Sequence, residues 1–313
     1  MGRLGRFNLL ALIVLAVIVA ALVACGNETT RSNNTPAEGA TAVDTPQLAI
    51  NGFISVSAGG AHTCGVRVDG AVECWGDDSL GQTTAPHGAF VSVSAGAAHA
   101  CGVRTDGTVA CWGDDGSSQA SPPDGRFVSV NAGELHTCGV RLDGSVACWG
   151  SNEWQGNYTG QATPGDGAFV SVSAGWIHTC GVRLDGSVAC WGWNEGGQAT
   201  PPDGEFSSVA AGGAHTCGVR PDASVACWGW DNDGQATPPD GEFSSVSAGA
   251  VHNCGVRPDG SVACWGADLD GQATAPDGEF ASVSAGGDHT CGVRPDASVA
   301  CWGWNDYGQA TPP

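Results

Sequence analysis

HTCGVRVDGAVECWG, residues 62–76, is the stretch whose reading decides the fold. Two short runs, HTCGVR and AVECWG, flank Val68-Asp69-Gly70. Counting outward from those three residues pairs Arg67 with Ala71, Val66 with Val72 and Cys64 with Cys74. A three-residue hairpin loop needs its last residue in the left-handed region, which glycine adopts at no steric cost. Upstream, Phe53-Ile54-Ser55-Val56-Ser57 alternates as a further strand. The stretch therefore predicts three antiparallel strands, the last two joined by a tight turn.

The same unit recurs along the chain. His62, His99, His136, His178, His215, His252 and His289 each stand two residues before a cysteine, at spacings of 37, 37, 42, 37, 37 and 37. A fixed period of this size marks a solenoid or a propeller. The one irregular step carries five extra residues, between Ser151 and Gln161. Glycine ends the hairpin loop at Gly70, Gly107, Gly144, Gly186 and Gly260, but Ala223 and Ala297 replace it in two units. Each alanine is expected to cost about 1 kcal/mol. Short antiparallel strands without a helical period predict an all-β, seven-bladed propeller over residues 51–313, because closing the ring leaves no open stack end. The chain stops at Ala310-Thr311-Pro312-Pro313, where other units run on into the next first strand. The strand at 53–57 is thus expected beside the last hairpin, closing the ring.

The first 24 residues read differently. Arg3 and Arg6 precede an apolar run from Leu9 to Val23, as in a secretory signal. Leu22-Val23-Ala24-Cys25 resembles a bacterial lipobox, which makes Cys25 the lipidated residue and residues 1–24 the signal peptide. An uncleaved signal anchor is the alternative, for which the run is short. Residues 25–50, rich in Thr, Asn, Ala and Pro, read as a flexible tether with a reach of roughly 25–30 Å. Both readings place the propeller outside the cytoplasm, in the cell envelope and held at a membrane.

Lys is absent and Gly contributes 50 of 313 residues, a turn-rich composition. From Cys25 onward 9 Arg face 32 acids, a formal charge of −23. So acidic a chain, with no basic stripe, argues against nucleic acid as a partner. Cys25 aside, the cysteines form seven pairs ten residues apart: Cys64 and Cys74, Cys101 and Cys111, Cys138 and Cys148, Cys180 and Cys190, Cys217 and Cys227, Cys254 and Cys264, Cys291 and Cys301. The hairpin register sets each pair opposite, and an even count in an exported domain predicts seven disulfides. The competing reading, a zinc site from His62, Cys64 and Cys74 in every unit, fits neither the spacing nor the compartment.

HTCGVRVDGAVECWG, followed by a loop and Gly-Gln, resembles the repeat of the regulator of chromosome condensation family, over about residues 52–313. The resemblance implies a seven-bladed propeller. The short units are similar to a compact bacterial exported branch, which includes a secreted propeller-type inhibitor of β-lactamase. The eukaryotic founder is a guanine-nucleotide exchange factor acting on chromatin. Export, acidity and the lack of a basic tail argue against carrying that activity over.

Residues present in every unit read as scaffold: the seven histidines as buried links between blades, and Trp75, Trp112, Trp149, Trp191, Trp228, Trp265 and Trp302 as packing between blades. The recurring arginines (67, 104, 141, 183, 220, 257, 294) are expected to pair with the turn aspartate two residues on; an anion-binding ring is the alternative. No catalytic residue, metal or cofactor is assigned. The turns 231–234 and 268–271 resemble calcium loops but have glycine at the first ligand position.

Two patches vary instead, the pair of residues before each His and the loop after each Cys-Trp-Gly. They hold Glu134, Trp154, Tyr158, Trp176, Trp193, Trp230, Asp231, Asp233, Trp304 and Tyr307, the candidate partner-binding residues. Aromatics among carboxylates are the residue types of a protein or glycan hot spot. Trp193, Trp230 and Trp304 could equally extend the packing between blades. The function expected is a lipid-anchored surface propeller, a monomer, that binds a protein through loops on one face; carbohydrate recognition by the same tryptophans is the alternative, and an exported enzyme a more distant one.

Overall fold

The computed structural model describes residues 52–313. The signal at 1–24, Cys25 and the tether at 25–50 lie outside the described residues. In the first unit β1 (Phe53–Ala58), β2 (His62–Arg67) and β3 (Val72–Gly76) form one antiparallel sheet in the order β1-β2-β3. Six more sheets repeat it, so the described residues form a seven-bladed all-β propeller. None of their helices is long and apolar enough to cross a membrane. The register is the one counted from the loop: Cys64 faces Cys74, Val66 faces Val72, and the Arg67 amide donates to the Ala71 carbonyl. All seven cysteine pairs are disulfides, with Cα atoms 4.0–4.1 Å apart. That pairing consumes the thiols a zinc site would need, and it belongs to an oxidising compartment.

The units are not identical. In units 5–7 the first strand starts later, at Ser208, Ser245 and Ser282. Pro221, Pro258 and Pro295 stand there at the position of Val68, whose amide donates to the Gly52 carbonyl. Proline has no amide hydrogen, so that ladder bond is lost. The five inserted residues of unit 3 form a small hairpin of their own, Glu153–Trp154 against Asn157–Tyr158, turned by Gln155 and Gly156 at φ +50° and +80°. Positive φ at both central positions is the turn geometry that matches strand twist.

One set of bonds joins each unit to the next. The amide of each first-strand Phe donates to the carbonyl of the residue ending the preceding hairpin loop, at 2.8–2.9 Å. Each repeat Trp Nε1–H donates to the carbonyl of the preceding unit's Gln, at 2.8–3.2 Å. Six histidines reach the following unit through Nε2, five to a Thr hydroxyl and His215 to the Asn253 side-chain oxygen, at 2.7–2.8 Å. Between units 7 and 1 the set is complete: Phe53 to Ala297, Trp75 to Gln309, His289 to Thr63. The first strand thus lies beside the last hairpin while pairing within its own sheet, and closure is one more copy of an ordinary joint.

The histidine links also fix the tautomer. Thr137 Oγ1 donates its proton to the Gln119 carbonyl, so it must accept from His99 Nε2–H. Asn253 does the same with its amide nitrogen on the Gln235 carbonyl and its oxygen on His215. Nδ1 has no hydrogen-bond partner in any of the seven, which suits an unprotonated nitrogen. Burial, helped by neighbouring imidazoles at all but His62 and His215, lowers these histidines to about 3 (His136, His178, His289) or about 4 (His62, His99, His215, His252). His62 alone has an unpartnered Nε2 as well, because Ala100 stands where the other units have Thr or Asn.

Three outcomes follow from these bonds. Ala223 and Ala297 sit at φ +66° and +67°, so Ala223→Gly and Ala297→Gly should each stabilise the oxidised protein by up to about 1 kcal/mol, read from urea midpoints. Ala100→Thr supplies the missing acceptor to His62 and should add about 1–3 kcal/mol; an unchanged or lower midpoint would count against the tautomer assigned here. The histidines bind protons when unfolded near pH 6.5 but not when folded until about pH 4 or 3. Stability should therefore be level above pH 7 and fall progressively from about pH 6.5 to 4, a window above most carboxylate titration. A urea midpoint that is flat between pH 7 and 5 would contradict neutral buried imidazoles.

Candidate functional site

His62 pairs with Gly76 across β2 and β3, so the turn before each His and the loop after each Cys-Trp-Gly leave the sheet at the same end. Backbone bonds tie the two together: Asp77 N–H donates to the Ala61 carbonyl, Trp193 to Ile177, Trp230 to Ala214 and Trp304 to Asp288. Both variable patches therefore share one face of the disc, here the loop face, as the sequence suggested. They occupy different radii on it. First strands of successive units touch one another around the ring, and their ends surround the axis.

At the axis the residue before each variable pair is Gly (59, 96, 133, 175, 212, 249, 286), and its carbonyl accepts the amide of the next residue in the preceding unit. Seven such bonds of 2.9–3.3 Å, from Gly60 to Gly96 round to Gly287 to Gly59, close a backbone belt. A Cβ on any of these glycines would lie 2.3–2.5 Å from the neighbouring carbonyl oxygen, so no other residue fits. The following residue carries a side chain in four units, whereas a Cβ at Gly60, Gly213 or Gly287 would lie 2.4–2.7 Å from a backbone carbonyl oxygen. In five units it is Gly or Ala (Gly60, Ala97, Gly213, Ala250, Gly287); in unit 3 it is Glu134 and in unit 4 Trp176. Together they line an axial pocket of about 100 Å³.

Glu134 and Trp176 are therefore neighbours on the belt, the Glu134 amide donating to the carbonyl of Gly175. The Trp176 ring lies against Gly213 of unit 5, where a Cβ would come within 3.2 Å of its Cδ2, and 42 % of the residue stays exposed. Glu134 is half-buried, and burial raises its carboxyl above the usual range. Asp288 is raised as well, first by burial and then by the charge of Asp270.

The rim holds the other candidates. Trp193 packs on Trp230 across the junction of units 4 and 5 (centroids 5.9 Å apart), and Trp230 covers Gly196 while remaining 44 % exposed. These two both extend the packing and present surface. Trp304 stacks edge-on with Tyr307 of its own loop, at 5.3 Å. Tyr158, on the inserted hairpin, is 71 % exposed and Tyr307 55 %, whereas Trp154 is half-buried. Asp233 is exposed, its amide held by the Gln235 side chain. Asp231 has another task. Its carboxylate accepts the Ala236 amide and the Thr237 hydroxyl, both at 2.7 Å, and so shapes its loop. Asp or Asn recurs at that position in every unit (78, 115, 152, 194, 231, 268, 305), a signal available in the sequence. The buried Gln of each Gly-Gln was likewise missed: its side chain accepts loop amides in most units, as Gln82 does from Leu80.

The charges divide unevenly. The loop face carries thirteen acids: Asp77, Asp78, Asp114, Asp115, Glu134, Glu153, Glu195, Asp231, Asp233, Asp268, Asp270, Asp288 and Asp306. All described arginines lie at the hairpin end. Seven sit over the first-strand Phe of their own unit, 4.5–5.5 Å from the ring centroid, and Arg126 lies beside Gly107. This corrects the pairing expected for the recurring arginines. The turn aspartates instead accept the amide two residues on, as Asp69 does from Ala71 and Asp143 from Ser145. Over the ring a guanidinium gains cation–π attraction. In six units it also donates to a linker carbonyl, as Arg104 does to His87 and Arg141 to Asp124. These two contacts together exceed one solvated ion pair at the turn.

Comparison with known proteins bears on this arrangement. The regulator of chromosome condensation (RCC1) repeat matches seven times, at residues 53–82, 90–119, 127–153, 169–198, 206–235, 243–272 and 280–309. A search of curated protein sequences returns no match. Among solved structures, the chain is similar to the ectodomain of the Physcomitrella patens receptor kinase CR4, at 28 % identity and a TM-score of 0.68, over 80 % of this chain and 74 % of that one. It is also similar to the CRINKLY WD40 ectodomain of the Arabidopsis thaliana receptor kinase ACR4, at 29 % identity and a TM-score of 0.66, over 80 % and 97 %. Prp20p from Saccharomyces cerevisiae, whose binding to Gsp1p and histones was studied with its structure, shares the fold at 18 % identity and a TM-score of 0.61, over 78 % and 84 %. With seven matches covering most of its length, the chain belongs to the regulator of chromosome condensation repeat family.

Proposed function

We propose that this protein is an extracytoplasmic binding propeller, not an enzyme, that engages a basic protein surface through its loop face. The observation that carries the reading is the composition of that face, thirteen carboxylates with no arginine or lysine and with Trp176, Trp230, Tyr158 and Tyr307 exposed among them. Aromatic anchors supply contact area at low entropic cost, and an unbalanced charge steers a complementary partner. The hairpin face mixes its acids with all the described arginines and lacks that bias. Seven disulfides and the similarity to two receptor ectodomains support a role outside the cytoplasm. The lipobox-like Leu22-Val23-Ala24-Cys25 supports anchoring in a bacterial envelope through Cys25, with residues 25–50 as the tether.

The full chain, immobilised in oxidised form, should capture from envelope extracts a protein with a basic surface, released by about 0.5 M salt. Replacing Tyr158, Trp230 and Tyr307 by Ala should weaken that capture at least about tenfold, while Leu142→Ser and Leu184→Ser on the hairpin face leave it intact. Capture that follows the hairpin-face changes instead would overturn the assignment of the face. A hit on a glycan array that is lost with the same three replacements, with no protein captured, would favour carbohydrate recognition.

A further inference from the structure

The axial pocket differs from the rim in chemistry and in size. Five of the seven positions around it are Gly or Ala, and the three glycines have no room for a Cβ, so the side chains of Glu134 and Trp176 set its character. One is the indole of Trp176, which rests on Gly213 and stays partly exposed, the other a carboxylate. Among the described residues no cation or hydrogen-bond donor meets the Glu134 carboxylate, and none of the pocket-lining residues is basic. A carboxylate drawn partly out of water in a pocket with no basic residue is an incomplete arrangement: it lacks the positive charge that would offset its desolvation. The pocket is shallow, and its volume of about 100 Å³ is well below the roughly 300 Å³ at which drug-sized pockets begin, so it takes a terminal group rather than a whole ligand.

We propose that the axial pocket is a subsite for an organic cation, an alkylammonium or guanidinium head group, held over the face of Trp176 and neutralised by the carboxylate of Glu134. The inference rests on the loop-face reading above and names the chemistry at its centre. Such a head group could be a lysine or arginine side chain of a partner or a free small cation; the recognition is the same. Trp176 gives the attraction of a ring quadrupole for a cation, and Glu134 gives charge and, toward a guanidinium, hydrogen bonds. The surrounding belt offers little else, because its backbone amides and carbonyls are already paired with one another.

The test uses the full oxidised chain and three small probes: N-acetylarginine amide, choline, and 3,3-dimethylbutan-1-ol as the neutral isostere of choline. The readout is the indole resonance of Trp176, assigned by its loss in Trp176→Phe. A cation should shift it saturably with a Kd of the order of millimolar, as a single desolvated contact of this kind gives. Glu134→Gln should weaken the binding about tenfold, and the neutral alcohol should not bind. Saturation by the arginine derivative alone would identify a partner side chain as the source; saturation by choline as well would identify free organic cations. No saturable shift with either cation, equal binding of the alcohol, or an unaffected Glu134→Gln variant would overturn the proposal. The loop-face reading fails separately: if Tyr158, Trp230 and Tyr307 can be replaced without loss of protein capture, that reading falls whatever the probes do at the axis.

Discussion

One chain must reach the same axis seven times, and that convergence governs where anything else can happen on this molecule. Each approach brings a glycine whose carbonyl sits 2.3–2.5 Å from the place a neighbouring Cβ would need. The belt of amide-to-carbonyl bonds is possible only because those Cβ atoms are missing. Immediately beyond it, on the loop face, four units carry a side chain, while at Gly60, Gly213 and Gly287 a Cβ would again meet a backbone carbonyl oxygen, at 2.4–2.7 Å. The scaffold thus prescribes a ring of seven positions around a shallow pocket, and the sequence fills five of them with Gly or Ala. Glu134 and Trp176 stand out because the belt makes their positions scarce.

Outside the belt the joints are mostly polar, and they explain residues that would otherwise invite catalytic readings. A buried histidine is usually a prompt for acid–base chemistry. Here six of the seven are locked in one tautomer by a chain running from Nε2–H through a hydroxyl or amide to a glutamine carbonyl, and burial keeps all seven neutral at any ordinary pH. The apolar contribution at each joint is small, a Phe, a Trp, a few valines and the disulfide of the neighbouring hairpin. Sheets of three short strands bury too little apolar surface to stand alone. A crosslink in every hairpin compensates, closing an 11-residue loop worth about 2.8 kcal/mol in the chain-entropy model.

The repeat made the fold legible, because its period, hairpin register and opposed cysteines are local features that survive folding unchanged. Ala223 and Ala297 could be placed in the left-handed region from the loop length alone. What could not be read was anything set by the contact between units. The arginines look as if they belong to the turn aspartates two residues away, yet they lie over a phenylalanine some fourteen residues earlier in the chain, brought there by the pairing of first and second strands. Position 100 reads as one more variable residue until the joint reveals that it removes the acceptor of His62. The two variable patches were visible as patches, and their shared face followed from the hairpin. Their division into axis and rim did not, since radius in a propeller is a property of the closed ring.

Once the symmetric background is accounted for, the departures from it are not scattered. Glu134 and the inserted hairpin with Trp154 and Tyr158 belong to unit 3, Trp176 and Trp193 to unit 4, and Trp230 to unit 5. They are physically continuous: Glu134 bonds to the residue before Trp176, Trp176 lies on Gly213 of unit 5, and Trp193 stacks on Trp230. The sector runs from the rim to the axis across three adjacent blades. Trp304 and Tyr307 of unit 7 stand apart from it. Stability alone does not require this clustering: Trp193 on Trp230 adds to one joint, but units with Asp, Ser or Ala in place of those tryptophans make the same hydrogen-bonded joints. A contact surface does give one: a partner of ordinary size covers a few neighbouring blades, and only there does a bulky side chain at both radii add to the same footprint.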